Sequence, residues 1–294
     1  MTRLDRLLLC IPRLRQIVLD REAFAAHSAR LQRELNESLE RERALRQELA
    51  DATREAVMHS AAQSVSEKMR ADWDARARTE GRYFIATGNQ AWTDEAFFAS
   101  GAENVRQHVL TDLENICRGM DPKQMRVVEI GCGAGRLTRA LAEIFGEVHA
   151  VDVSPEMIEL ARAGLAGERN VHLYVNNGED LSVLPGGAYH FAFSFIVFQH
   201  VPEKAIVEGY LREAHRVLAA GGLFKFQVEG GGGRGHGDTW NGVSFTEGEL
   251  REMAGRCGFE VRYTEGAGTQ YFWVWAFREP LTRALQYVIE EGPI

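Results

Sequence analysis

Four cysteines stand among the 294 residues, Cys10, Cys117, Cys132 and Cys257, with no CxxC pair and no histidine cluster at zinc-ligand spacing. Their scarcity excludes a zinc-ribbon or disulfide framework and leads us to expect reduced thiols in a cytoplasmic protein with no metal centre. The apolar stretch nearest the N-terminus, Leu7 to Ile11, is bracketed by Arg3, Asp5, Arg6 and Arg13 and followed by no small-residue cleavage site. It is too short to span a bilayer, so neither a membrane span nor a secreted protein is expected. Positive charge is short as well: the formal net charge is -8, which argues against nucleic acid as a partner because that affinity comes largely from Lys and Arg. What remains, 45% hydrophobic and 26% charged residues, is ordinary for a soluble globular chain with room for about two domains.

Glycine is absent from the first 78 residues, and Pro12 is the only proline there. The Leu, Ala, Glu, Arg and Gln that fill the segment are helix formers, so residues 1–80 read as a helical extension. Glu37 and Arg41, and Glu42 and Arg46, are acid-before-base pairs four apart that meet on a helix surface. A heptad seam through Leu31, Leu35, Ser38, Glu42, Leu45, Leu49, Ala52 and Ala56 is interrupted in its middle, so a coiled-coil homodimer and a solitary solvated helix both stay open. Over residues 1–20, Leu4, Leu7, Leu8, Ile11, Leu14, Ile17 and Val18 recur at helical spacing, which suits either a membrane surface or packing on the protein itself. Residues 81–121 read as a helical connector; with Trp73, its aromatics Tyr83, Phe84, Trp92, Phe97 and Phe98 roof a pocket or fill a core.

From residue 122 to 294 short apolar runs alternate with helical stretches, the rhythm of strand and crossover-helix units in a parallel sheet. The strands fall at RVVEIG, EVHAVDV, VHLYV, YHFAFSFIVF and LFKFQVE; the helices fall near 136–145, 156–166 and 203–219. A helix near 247–257 and the runs GFEVRY and YFWVWAFRE follow, the last two expected as an antiparallel hairpin.

The chemistry gathers at VVEIGCGAGRLT, where Glu129, Gly131, Gly133 and Gly135 leave the first strand before a helix. Glycines there permit a sharp turn and a close approach to a ligand. Asp152 ends the second strand, where a carboxylate can accept from both hydroxyls of a ribose. Dinucleotide sites read GxGxxG; this chain reads GxGxG with an acid two residues before the first glycine.

Together with AVDVSPEMIELAR and FSFIVFQHVPE, that motif resembles the class I S-adenosylmethionine-dependent methyltransferases over residues 127–229. The resemblance implies an α/β, Rossmann-like seven-stranded sheet, parallel except for one strand of the C-terminal hairpin. It implies S-adenosylmethionine as cofactor, with Glu129, Gly131, Gly133 and Gly135 bordering its methionine part and Asp152 holding the ribose. Val153 would cover the adenine, and Asn177, flanked by Gly178 and Glu179, would stand where many members have an Asp for the adenine amine. The backbone near Ser194 and Phe195 would approach the methionine group, and Tyr83 would fold over the cofactor. His190, where the family usually has an Asp, is read as a hydrogen-bonded scaffold residue.

Methyl transfer needs alignment and exclusion of water more than a metal. A hydroxyl acceptor also needs a base, for which His200 beyond the fourth strand is the first candidate and His236 in the glycine-rich loop the second, with Asp238 and Trp240 as substrate contacts. The expected function is methyl transfer to a small-molecule or sugar acceptor, at oxygen. A non-catalytic scaffold assembled by the N-terminal helix and a nicotinamide-dependent dehydrogenase are the competing readings.

Overall fold

The structure, a computed structural model, describes residues 12–87, 91–231 and 237–278. His236 and most of the amphipathic segment 1–20 lie outside the described residues or their described side chains. The chain divides into two compact units, residues 1–59 and 60–294. Helix α1 (Pro12–Ile85) runs through the first and into the second, so residues 60–80, the final quarter of the extension expected over 1–80, are part of the larger unit. Within the first unit the described side chains are exposed, including Phe24, Leu31, Leu35, Leu39, Leu45 and Leu49. Both expected acid–base pairs form, Glu37 with Arg41 and Glu42 with Arg46, joined by Arg30 with Glu34. Exposed pairs of this kind contribute only about 0.3–0.5 kcal/mol each. Among the described residues no helix is long and apolar enough to cross a membrane.

The larger unit is built on seven strands: β1 (Arg126–Ile130), β2 (Glu147–Asp152), β3 (Val171–Val175), β4 (Tyr189–Ser194), β5 (Leu218–Val228), β6 (Phe259–Glu265) and β7 (Phe272–Arg278). Their order across the sheet is β3-β2-β1-β4-β5-β7-β6. All pairs are parallel except β5 with β7 and β6 with β7, so β7 alone runs against the rest, as expected for the terminal hairpin. Reversal of strand order between β1 and β4 leaves a crevice at their carboxyl ends, the place where open α/β sheets bind ligands.

Central strands are apolar on both faces because helices cover both. Val127, Phe191, Phe193 and Trp275 pack beneath α2 (Asp94–His108), α3 (Leu113–Cys117) and α4 (Thr138–Ile144). On the opposite face Val128, Ala192 and Phe226 pack beneath α6 (Lys204–Val217), α7 (Glu247–Arg256) and Met69 of α1. Helix α5 (Pro155–Gly164) opens on Ser154, whose hydroxyl accepts the amide of Met157, followed by a first-turn proline. Helix α7 opens on a reciprocal Thr246–Glu249 capping box. Helix α1 kinks at Glu80 and reaches α5 at Gly81, where a Cβ would come within 2.7 Å of Leu160.

Candidate active site

Two adjoining chambers open at the carboxyl ends of β1, β2 and β4. The first is walled by Glu129, Gly131, Gly133, Asp152, Val153 and Phe195, and α1 contributes Met69, Trp73, Phe84 and Ile85. Gly131 and Gly133 have φ of +76° and +53°, and a Cβ at Gly131 would collide with Val197 at 2.4 Å. The turn thus needs glycine for both conformation and space. Gly135 does not line this chamber. A Cβ there would meet Leu165 at 2.6 Å, so it serves close packing of the turn on α5.

Asp152 is buried; its Oδ2 accepts the Gly133 amide at 2.8 Å and its Oδ1 the Ser154 amide at 2.9 Å. Those bonds tie β2 to the glycine turn and leave acceptor capacity on both oxygens. Glu129, also buried, accepts the Thr138 hydroxyl at 2.6 Å. Burial pushes Glu129 up to about 7 and Asp152 up to about 6. Arg136 is 5% exposed and lines both chambers; its Nη1 donates to Asn104 at 2.7 Å, while its buried Nε has no partner. Burial lowers this guanidinium to about 10. Gly101 lets α2 settle against it, since a Cβ there would come within 1.9 Å of the Arg136 carbonyl.

Two of the expected site residues stand one position away from residues that line the chamber. Asn177 is exposed and occupied with its own turn: its Oδ1 accepts the amides of Glu179 and Asp180, and its Nδ2 donates to Asp180. The chamber is lined instead by Asn176, which is 3% exposed. Its Nδ2 donates to the Asp180 carbonyl and to Tyr210, which fixes the amide's orientation and leaves a buried Oδ1 without a partner. Likewise Tyr83 is not among the lining residues. It packs edge-on against Phe84, which borders both chambers, because successive helical residues point about 100° apart.

Gly178 and Glu179 support the wall from behind. A Cβ at Gly178 would meet Val153 at 2.9 Å and Met69 at 3.1 Å, and Glu179 accepts the Ser66 hydroxyl at 2.7 Å, joining the loop to α1. Arg70 adds a bond to the Asn176 carbonyl. Ser194 is buried outside the lining and donates to Ile130. His190 accepts the Arg126 amide at 3.0 Å at the amino end of β4, the scaffold role expected of it.

The second chamber shares Phe84, Ile85, Arg136, Ile196 and His200 with the first. Ile196 has φ +56°, a costly conformation for a β-branched residue, held by its amide's bond to Gln227 Oε1 at 3.0 Å. From Gln227 a relay continues: Gln227 Nε2 donates to Gln199 Oε1 at 3.1 Å, and Gln199 Nε2 lies 3.2 Å from His200 Nε2. His200 Nδ1 sits 2.6 Å from the Trp240 carbonyl, which only accepts, so Nδ1 carries the proton and Nε2 the lone pair. Burial pushes His200 down to about 4, and the nearby Arg76 lowers it further against the Trp240 bond. Trp240 lines this chamber, whereas Asp238 folds its own turn by accepting the amides of Trp240 and Asn241.

A family model described as a methyltransferase domain matches residues 127–222. The ubiquinone biosynthesis O-methyltransferase of Xanthomonas oryzae pv. oryzae is 30% identical over 111 residues, 37% of this chain and 45% of that protein. Its namesake in Xanthomonas campestris pv. campestris is 31% identical over 98 residues, 33% and 40% of the two. The chain thus spans less than half the length of these curated relatives. Among solved structures, the DhpI–SAH complex is 20% identical with a TM-score of 0.51, covering 74% of this chain and 98% of that one. Geranyl diphosphate C-methyltransferase from Streptomyces coelicolor, in complex with geranyl diphosphate and S-adenosyl-L-homocysteine, is 15% identical with a TM-score of 0.53, covering 73% and 98%. At these identities the structures speak for the fold, and the fold agrees with the methyltransferase-domain match over residues 127–222.

Proposed function

We propose that the protein transfers a methyl group from S-adenosylmethionine to the oxygen of a small hydroxylated acceptor, sugars included. The observation that carries this reading is the pair of hydrogen-bond acceptors in the first chamber: a buried carboxylate at Asp152 beside a buried, unpartnered carbonyl at Asn176. A ribose diol needs the first and an exocyclic amine the second. Glu129 supplies negative charge for a cationic ligand and Arg136 positive charge for its carboxylate. The cofactor, when bound, supplies a methyl group already activated by a sulfonium. In the second chamber Phe84, Trp92, Trp240 and Tyr271 offer aromatic faces beside Asn104, Gln199, Glu229 and Gln270, a mixture suited to a ring bearing hydroxyls. The name of the Xanthomonas relatives supports oxygen as the atom methylated.

In this reading His200 is the proton acceptor, its Nε2 lone pair passing from Gln199 to the acceptor hydroxyl. A pKa near 4 suffices, because a hydroxyl oxygen that has gained a methyl group is a strongly acidic oxonium. Gln199 and Gln227 hold the ring, and Trp240 fixes its tautomer. We further assign the protein to the cytoplasm and the exposed leucines of α1 to self-assembly, which sedimentation with and without residues 1–59 tests. Thermal-shift titration with S-adenosylhomocysteine and with NAD tests the cofactor: stabilisation by the first alone is expected, and stabilisation by NAD alone would restore the dehydrogenase reading.

A further inference from the structure

Away from both chambers, toward the amino ends of β2 and β3, Glu147, His149 and His172 bring one ligating atom each to within 4.8 Å of one another. Strand geometry makes this arrangement. Alternation along β2 sets Glu147 and His149 on one face, and the parallel register places His172 directly beside His149, with rings 4.6 Å apart and inclined by 31°. From this geometry we infer a binding site for one divalent transition-metal ion of the zinc class, held by two imidazoles and a carboxylate and completed by water.

Ligand atoms that share a tetrahedral ion at about 2.0–2.2 Å lie roughly 3.3–3.6 Å apart. Glu147 Oε2 and His149 Nε2 already stand at 3.3 Å. His172 is exposed on the edge strand β3, and a rotation of its side chain toward Glu147 would close the remaining gap. His149 Nδ1 lies 3.1 Å from the Tyr174 hydroxyl and 3.3 Å from that of Tyr189. A hydroxyl accepts as readily as it donates, so Nδ1 can keep the proton and free the Nε2 lone pair for the ion. Metal-binding imidazoles are ordinarily oriented by such an outer partner.

Arg126 occupies this corner with its own positive charge: its Nε donates to Glu147 Oε2 at 2.9 Å and its Nη2 lies 3.5 Å from His149 Nε2. The ion therefore exchanges with a guanidinium, which already stacks over the Tyr189 ring at 5.3 Å. Once bound, it ties the edge strand to its neighbour without touching the cofactor chamber.

Calorimetric titration of the chelator-stripped full chain with Zn²⁺ tests the site, with Co²⁺ absorption reporting the ligand field. One ion per chain is expected, with affinity falling about tenfold or more in both His172→Ala and Glu147→Gln and rising in Arg126→Gln, where the competing cation is gone. S-adenosylhomocysteine affinity should be unchanged in all three, which keeps this outcome separate from the methyltransferase reading. His172 is exposed, so its removal spares the fold, and circular dichroism checks that. Absence of binding, or equal Zn²⁺ affinity in wild type and His172→Ala, overturns the site.

Discussion

The two ends of the parallel sheet use the same side chains in opposite electrical settings. At the carboxyl ends of β1 and β2, Glu129 and Asp152 are buried, and burial raises their carboxyls to about 7 and about 6. Toward the amino end of β2, Glu147 is half-exposed; its hydrogen bond with His149 and the charge of Arg126 hold it below the ordinary carboxylate range. Closure makes the difference. A carboxylate shut into a chamber gains from a cationic ligand, whereas one at an open edge is answered by the chain itself. The first end is thus poised for a ligand, and the second yields its carboxylate only in exchange for its arginine.

The comparison breaks most directly at Asp152. Asp152→Ala should lower S-adenosylhomocysteine affinity about 100-fold, because it removes charge-assisted bonds to two hydroxyls. It should also cost roughly 1–3 kcal/mol of stability for the unanswered Gly133 and Ser154 amides. Calorimetry with a folded variant separates the two effects, and unchanged affinity would refute the ribose assignment. His200→Gln comes next: turnover should fall about 100-fold with cofactor affinity retained, as measured by steady-state kinetics. Full activity would remove His200 from the reaction. A smaller effect separates the adjacent asparagines. Asn176→Ala should weaken cofactor binding roughly fivefold to tenfold through loss of one buried acceptor, while Asn177→Ala leaves it nearly unchanged.

Those asparagines also mark the limit of what was legible beforehand. The places of the strands, the glycine turn, the carboxylate at Asp152 and the terminal hairpin follow from periodicity and spacing, because each is a local pattern, whereas β4 ends at Ser194, short of the expected FIVF, and β5 begins at Leu218, inside the expected helix. Exposure of an asparagine is decided by turn geometry: Asn177 closes a loop with its own amides, which turns Asn176 inward. Tyr83 and Phe84 differ by one helical step. Arg136 carried no signal of its own, since its role depends on α2 folding over it from thirty-five residues upstream at Gly101. One missed element did leave a trace. Val65, Met69, Trp73, Ala77, Gly81 and Ile85 recur every four residues along α1, a stripe that marks its inward face, from which Met69, Trp73 and Ile85 line the first chamber.

The pH dependence of binding sharpens the comparison with the smallest expected effect. Glu129 and Asp152 have raised folded-state pKa values, so their contribution to stability is complete below the ordinary carboxylate range and is lost as pH rises through about 6 and about 7. A cationic ligand favours the ionised forms and reverses that loss. S-adenosylmethionine carries a sulfonium that S-adenosylhomocysteine lacks, so the ratio of their affinities should rise several-fold across this window and level off above about 7. His200 titrates near 4, below the window, and does not contribute to the rise. Calorimetric titration of both ligands across the window measures the ratio. A flat profile would mean that the two buried carboxylates do not sense the ligand's charge, and the contrast between the two ends of the sheet would then concern burial alone.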